Sequence, residues 1–84
     1  MRYDVFWRHA ATEQLFELAV INAKQARRIM IAVRGVGMGQ AGDLKKLTGK
    51  EEWRLRVGDW RVSMLLSGGI AYINEVNNRR DAYA

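Results

Sequence analysis

The run EEWRLRVGDWRVSMLL, residues 51 to 66, constrains this chain more than any other stretch. Gly58-Asp59 is a two-residue turn signal between two alternating segments, the pattern of a tight β-hairpin. A turn at that place sets the register of both arms. Val57 pairs with Trp60, Leu55 with Val62 and Trp53 with Met64, all pointing to one side. The opposite side pairs Arg56 with Arg61 and Arg54 with Ser63. One face of the hairpin is therefore apolar and aromatic, and the other is a cluster of guanidinium groups. Like charges directly opposite one another on a sheet are destabilising. Arg54, Arg56 and Arg61 thus point to an anionic ligand outside the fold, matched by their fixed hydrogen-bonding forks. Trp53 and Trp60 share the apolar face and are expected in the core rather than as base-stacking platforms.

Elements to either side complete the sheet and cover it. Residues 2 to 8, RYDVFWR, alternate as a strand with Tyr3, Val5 and Trp7 on one face. From Ala10 onward, Ala11, Leu15, Leu18 and Ala19 recur at helical spacing. Asn22 followed by Gln25 resembles a capping-box start, so a helical hairpin is expected in place of one helix from 10 to 34. The second helix carries Ala26, Ile29, Met30 and Val33 as its apolar stripe, with Gly35 as its C-cap. The stretch RGVGMGQAGDL reads as a flexible connector, because it lacks the Gly-Lys-Ser/Thr ending of a phosphate-binding P-loop. DLKKLTGK is a short basic segment entering the hairpin. LSGGIAYINEV signals a second hairpin through Gly68-Gly69 and a further strand, apolar on both faces as a central strand should be. Ile70, Tyr72 and Val76 fall on one side of that strand and Ala71 and Ile73 on the other, while its Glu75 is expected to pair with an arginine. His9, at the strand-to-helix junction, reads as a capping or surface residue, and the tail NNRRDAYA is polar. The expected fold is one α+β domain over residues 1–84, β-α-α-β-β-β, with a helical hairpin on one face of a mainly antiparallel sheet and the arginine face open.

Composition narrows the class of partner. At 84 residues one domain is expected, and a 49% hydrophobic fraction argues for a folded globule. Fourteen basic against nine acidic residues, a net charge of +5, suit a polyanion such as nucleic acid or an acidic protein partner. Cysteine is absent, which removes disulfide and thiolate chemistry and is compatible with a reducing cytoplasm, the expected location. No signal peptide is visible after Met1, and no apolar stretch approaches the roughly 20 residues that span a bilayer. A single histidine among scattered carboxylates gives no metal-ligand spacing, so neither a metal nor a cofactor is expected.

Three segments, LKKLTG, WRLRVGDWRV and VNNRRDAY, together resemble the RelE/ParE family of bacterial toxins from type II toxin-antitoxin pairs. The resemblance covers residues 44 to 83 by motif and the whole chain by length and element order. It implies a ribosome-dependent mRNA endonuclease, or a gyrase poison that cleaves nothing, or a non-toxic relative that binds only its antitoxin. It also implies a working surface on the concave sheet face and the C-terminal tail, blocked by a cognate antitoxin. The family's positions fall on Lys45, Lys46 and Lys50, then Arg54, Arg56 and Arg61, then Arg79, Arg80 and Tyr83. Met64 stands where many members carry Tyr or Phe, and Asn78 where many carry His.

Cleavage of RNA by its own 2′-hydroxyl requires a proton to leave that hydroxyl, a crowded phosphate to be stabilised, and the 5′-oxygen to be protonated. Arginines suit the second task and not the others, since a guanidinium remains protonated. The expected assignment is Arg61 and Arg79 on the reacting phosphate and Tyr83, the family-matched choice over Glu75, Asp81 or a lysine, on the proton. The remaining basic positions, Lys45, Lys46, Lys50, Arg54, Arg56 and Arg80, would hold RNA backbone. The partners implied are the antitoxin and mRNA on the ribosome, with DNA gyrase as the alternative target.

Overall fold

A computed structural model of the protein describes residues 2–40, 42–47, 49 and 51–78. In chain order the elements are β1 (Asp4–Trp7), α1 (His9–Ile21), α2 (Ala23–Gly37), β2 (Leu44–Lys46), β3 (Glu52–Val57), β4 (Trp60–Ser67) and β5 (Ile70–Asn78). They form a five-stranded sheet in the order β1-β5-β4-β3-β2. β1 runs parallel to β5 and every other pairing is antiparallel. The expected β-α-α-β-β-β order is present with one strand added. β2 forms from the basic segment, whose three residues pair with β3.

The helical hairpin breaks where Asn22 was expected to cap. Its side-chain Oδ1 accepts from the Gln25 N–H at 3.1 Å, satisfying one of the orphan donors of a helix start. Gln25 does not close the box, because its Nε2 donates instead to the Val57 carbonyl at 3.3 Å. That bond ties the start of α2 to the end of β3. At the other end α2 runs past Gly35, the expected cap, to Gly37, and Gly39 takes the left-handed conformation at φ +88°. Gly37 is needed for a close approach rather than a turn. Its carbonyl accepts from the Tyr3 N–H at 2.9 Å, and a Cβ there would lie 2.8 Å from Val5 Cγ2 and 3.1 Å from the Tyr3 carbonyl oxygen. The first four residues of the glycine-rich stretch, Arg34 to Gly37, are thus helix packed on β1, not connector.

Hairpin register is as the turn dictates, with Val57 opposite Trp60, Arg56 opposite Arg61 and Leu55 opposite Val62. Gly58 alone has positive φ in the first turn, whereas Gly68 and Gly69 both do in the second, the two patterns that match strand twist. Between β4 and β5 the register slips. Ser63 pairs with Glu75 and Met64 with Ile73, leaving Asn74 as the extra residue of a bulge. Beyond it Val76 turns to the face of Ala71 and Ile73, not to that of Ile70 and Tyr72 as simple alternation implied.

The core lies between the helices and one face of this sheet. Ala11 and Leu18 from α1, and Ala26, Ile29, Val33 and Val36 from α2, pack on Leu55, Val62, Met64, Ala71, Ile73 and Val76. Met30, expected in the stripe, is 55% exposed, and Val36 takes a core position in its stead. Trp53 and Trp60 are half-buried against the core, on the face expected for them.

Candidate nucleic-acid interface

Cross-strand pairing arranges the open face in rows. Lys45, Arg54, Ser63 and Glu75 stand side by side across β2, β3, β4 and β5. The next row holds Arg56, Arg61 and Asn77. Each row therefore contains a pair of like charges directly opposed, Lys45 with Arg54 and Arg56 with Arg61. The four cations converge on a cleft of about 180 Å³, completed by Asp43 and Leu47. Arg54 and Arg61 are half-buried in it, while Lys45 and Arg56 are exposed. With four cations against the single carboxylate of Asp43, the lining is net positive, and a cleft of that sign over low-dielectric walls focuses the field and attracts an anion such as phosphate.

β2 makes the cleft a cleft. The Arg56 N–H donates to the Asp43 carbonyl at 3.0 Å, so the backbone ladder continues one residue before β2 and holds Asp43 at the rim. Alternation along that edge brings residues 43, 45 and 47 to the arginine side and turns Lys46 away. Lys46 pairs with Trp53 and belongs to the helix-covered face, apart from the other expected contacts. Asp43 and Leu47 were missed by the sequence. Had the basic segment been recognised as a strand, its period of two would have found both.

Several other expected residues are also placed. The Glu75 carboxylate accepts from Asn77 Nδ2 at 2.9 Å, a neighbour on its own strand rather than the arginine expected of it. Ser63 is buried beside Arg54. Met64 is fully buried on the opposite face, so its departure from the family pattern concerns packing and not the cleft. Asn78 ends β5 opposite Trp60 and is half-buried. His9 sits exposed at the start of α1, its Nε2 at 3.0 Å from Glu13 Oε1. Lys50, Arg79, Arg80, Asp81 and Tyr83 lie outside the described residues. Among the described residues no cluster of His, Asp or Glu could hold a metal ion, and no helix is long and apolar enough to cross a membrane.

A second concavity lies on the helical side. β1, the end of α1 and the outer flank of α2 enclose an apolar groove of about 640 Å³, lined by Val5, Trp7, Met30, Ile31 and Met38 among others. Arg27 and Arg34 flank it. Sequence periodicity gave no warning of this groove, because it had assigned Met30 to the core.

No protein-family profile matches the chain, and no curated protein matches it by sequence. Solved structures do match. The toxin in the DinJ-YafQ toxin-antitoxin complex of E. coli superimposes with a TM-score of 0.76 at 12% identity, covering 100% of both chains. The RelB-RelE antitoxin-toxin complex of Methanococcus jannaschii gives 0.75 at 18% identity, over 93% of this chain and 94% of the other. The YoeB-YefM complex of Staphylococcus aureus gives 0.74 at 15%, over 92% and 97%. Likeness at these identities is likeness of architecture: the chain has the fold of the YoeB, RelE and YafQ toxins.

Proposed function

We propose that this chain is the toxin of a type II toxin-antitoxin pair and acts as a ribosome-dependent mRNA interferase, an endoribonuclease that cuts translated RNA in the cytoplasm. One observation carries the reading. Lys45, Arg54, Arg56 and Arg61 converge on a single cleft despite two directly opposed like-charge pairs, in a fold shared with toxins solved in complex with antitoxins. Like charges set opposite one another cost the fold stability, and a bound polyanion offsets that cost. In the reaction the 2′-oxygen bonds to phosphorus as the bond to the 5′-oxygen breaks. Arg61 with Arg79 neutralises the phosphate, and Tyr83 handles the proton. Arg54, Arg56, Lys45, Lys50 and Arg80 bind the strand, and Lys46, turned to the helix-covered face, takes no part in that contact. Holding the strand in an attack geometry supplies much of the acceleration, so a weak base suffices. No cofactor enters this chemistry.

The antitoxin is the second partner. The groove between β1 and α2, apolar with arginines at its flanks, suits an amphipathic segment with carboxylates along its polar edge.

A binding function without catalysis, inhibition of DNA gyrase, is favoured by one specific feature. The cleft's described lining holds one carboxylate, Asp43, and no histidine. Induced expression separates the two. Primer extension should show new 5′ ends within translated mRNA while plasmid supercoiling stays normal. Intact mRNA together with relaxed plasmid would replace the nuclease by the gyrase inhibitor.

A further inference from the structure

The open face does not end at the arginines. Register continues the row of Glu52 and Leu65 across β5 and β1 to Tyr72 and Phe6. Phe6 and Tyr72 meet edge to face, with ring centroids 5.9 Å apart and planes at 62°. The Arg8 guanidinium carbon lies 5.0 Å from the centroid of the Tyr72 ring. Val5 and Trp7, the neighbours of Phe6 on β1, face the helix side and line the groove there. Phe6 itself is 55% exposed, an aromatic ring held in place by a second ring yet turned to solvent.

We propose that Phe6, braced by Tyr72, whose own ring carries the Arg8 guanidinium, is a stacking platform for a base of single-stranded RNA whose phosphates lie in the arginine cleft. The proposal rests on the nucleic-acid reading of this face and extends it to a second subsite. An isolated exposed phenylalanine would need no explanation. Three features distinguish this one. It is edge-braced by Tyr72, it has an arginine in the same cluster, and it shares a sheet face with Lys45, Arg54, Arg56 and Arg61. Aromatic rings on a sheet, interleaved with cations, are how proteins bind unstacked bases, because every base offers a π-face and every linkage a charge. Phe6 is two residues along the strand and three strands across from Arg54, about 16 Å, which a single strand spans in about five stacked nucleotides or fewer extended ones.

The test is fluorescence anisotropy of the full chain with a 3′-labelled single-stranded RNA octamer, compared with an octamer whose internal residues are abasic. Phe6→Ala should weaken binding to the base-bearing strand by about 5- to 150-fold and leave the abasic strand unchanged. Phe6→Trp should restore the affinity, and Phe6→Leu, which keeps apolar area without a π-face, should not. Circular dichroism verifies that each exposed-site variant is folded. Equal affinities of Phe6→Ala and the parent for both strands would overturn the platform and leave the arginine cleft standing. Equal weakening toward both strands would also overturn it, since the loss would not depend on bases. A parent protein that binds neither strand would refute the nucleic-acid reading of the whole face, and the platform with it.

Discussion

Replacing Arg56 by glutamine removes one cation from the pair that the first hairpin turn sets opposite Arg61. The Arg56 N–H donates toward β2, to the Asp43 carbonyl, and not across to β4. Arg56 and Arg61 are therefore a non-hydrogen-bonded pair, the closer kind, with Cα atoms about 4.5 Å apart. Guanidinium groups roughly 6 Å apart repel by about 0.7 kcal/mol in water, and salt at 0.1 M with a Debye length of about 10 Å screens almost half of that. Arg56 is exposed, so the high-dielectric figure applies. Arg56→Gln should thus stabilise the fold by about 0.3–0.7 kcal/mol at low salt, a rise of about 1–5 °C in Tm for a domain of this size. The gain should shrink in 0.5 M KCl. On RNA the same variant should bind more weakly, with the slope of log K against log salt reduced by about 0.7. Thermal unfolding at 20 and 500 mM KCl and anisotropy over a salt series measure both sides. A loss of 1 kcal/mol or more at low salt, roughly the value of a net favourable interaction, would show that the arginines support the fold and need no ligand to explain them.

Lys45→Ala should weaken RNA binding in a salt-dependent way while Lys46→Ala leaves it nearly unchanged, because β2 turns only the first toward the cleft; anisotropy with both variants decides, and equal effects would contradict the alternation. Gly37→Ala should destabilise by about 1–3 kcal/mol despite the better helix propensity of alanine, since its Cβ meets β1; a urea midpoint equal to or above that of the parent would refute it. Ile73→Ala empties a fully buried site and should cost about 2–5 kcal/mol with little change in the urea m-value. In ribosome cleavage assays Arg61→Ala should slow the cut by about 10²- to 10³-fold, the scale for one lost charge-stabilising group. Tyr83→Phe should slow cleavage while ribosome binding persists, and full cleavage by Tyr83→Phe would remove that residue from the chemistry.

Local chemistry alone determined much of this protein. Gly58-Asp59 can close only a two-residue turn, and once it does the period of two assigns every side chain of β3 and β4 to a face. The arginine cluster, the half-buried tryptophans and the buried Leu55 and Val62 all follow from that one turn. Asn22 likewise announced the break between helices, because its side chain satisfies a helix-start N–H that the preceding residues cannot. What remained depended on partners distant in sequence. β2 is three residues of Leu-Lys-Lys with little strand propensity, and it exists because β3 offers an unpaired edge. Its pairing separates Lys45 from Lys46 and brings Asp43 and Leu47 to the cleft, which no property of the segment itself foretold. The Asn74 bulge moves Val76 to the core side because β4 and β5 must both match the helices above, and a bulge is set by the pair of strands rather than by either one. Gly35 and Gly37 look like loop residues in the sequence, yet both are helical, since at Gly37 the absent side chain is what lets β1 reach the end of α2. Phe6, assigned by alternation to the side away from Val5 and Trp7, acquired its meaning only when the parallel pairing of β1 with β5 set it against Tyr72. Nearest-neighbour rules decide turns, caps and alternation; the joining of strands and helices far apart in the chain decided which of those faces became a site.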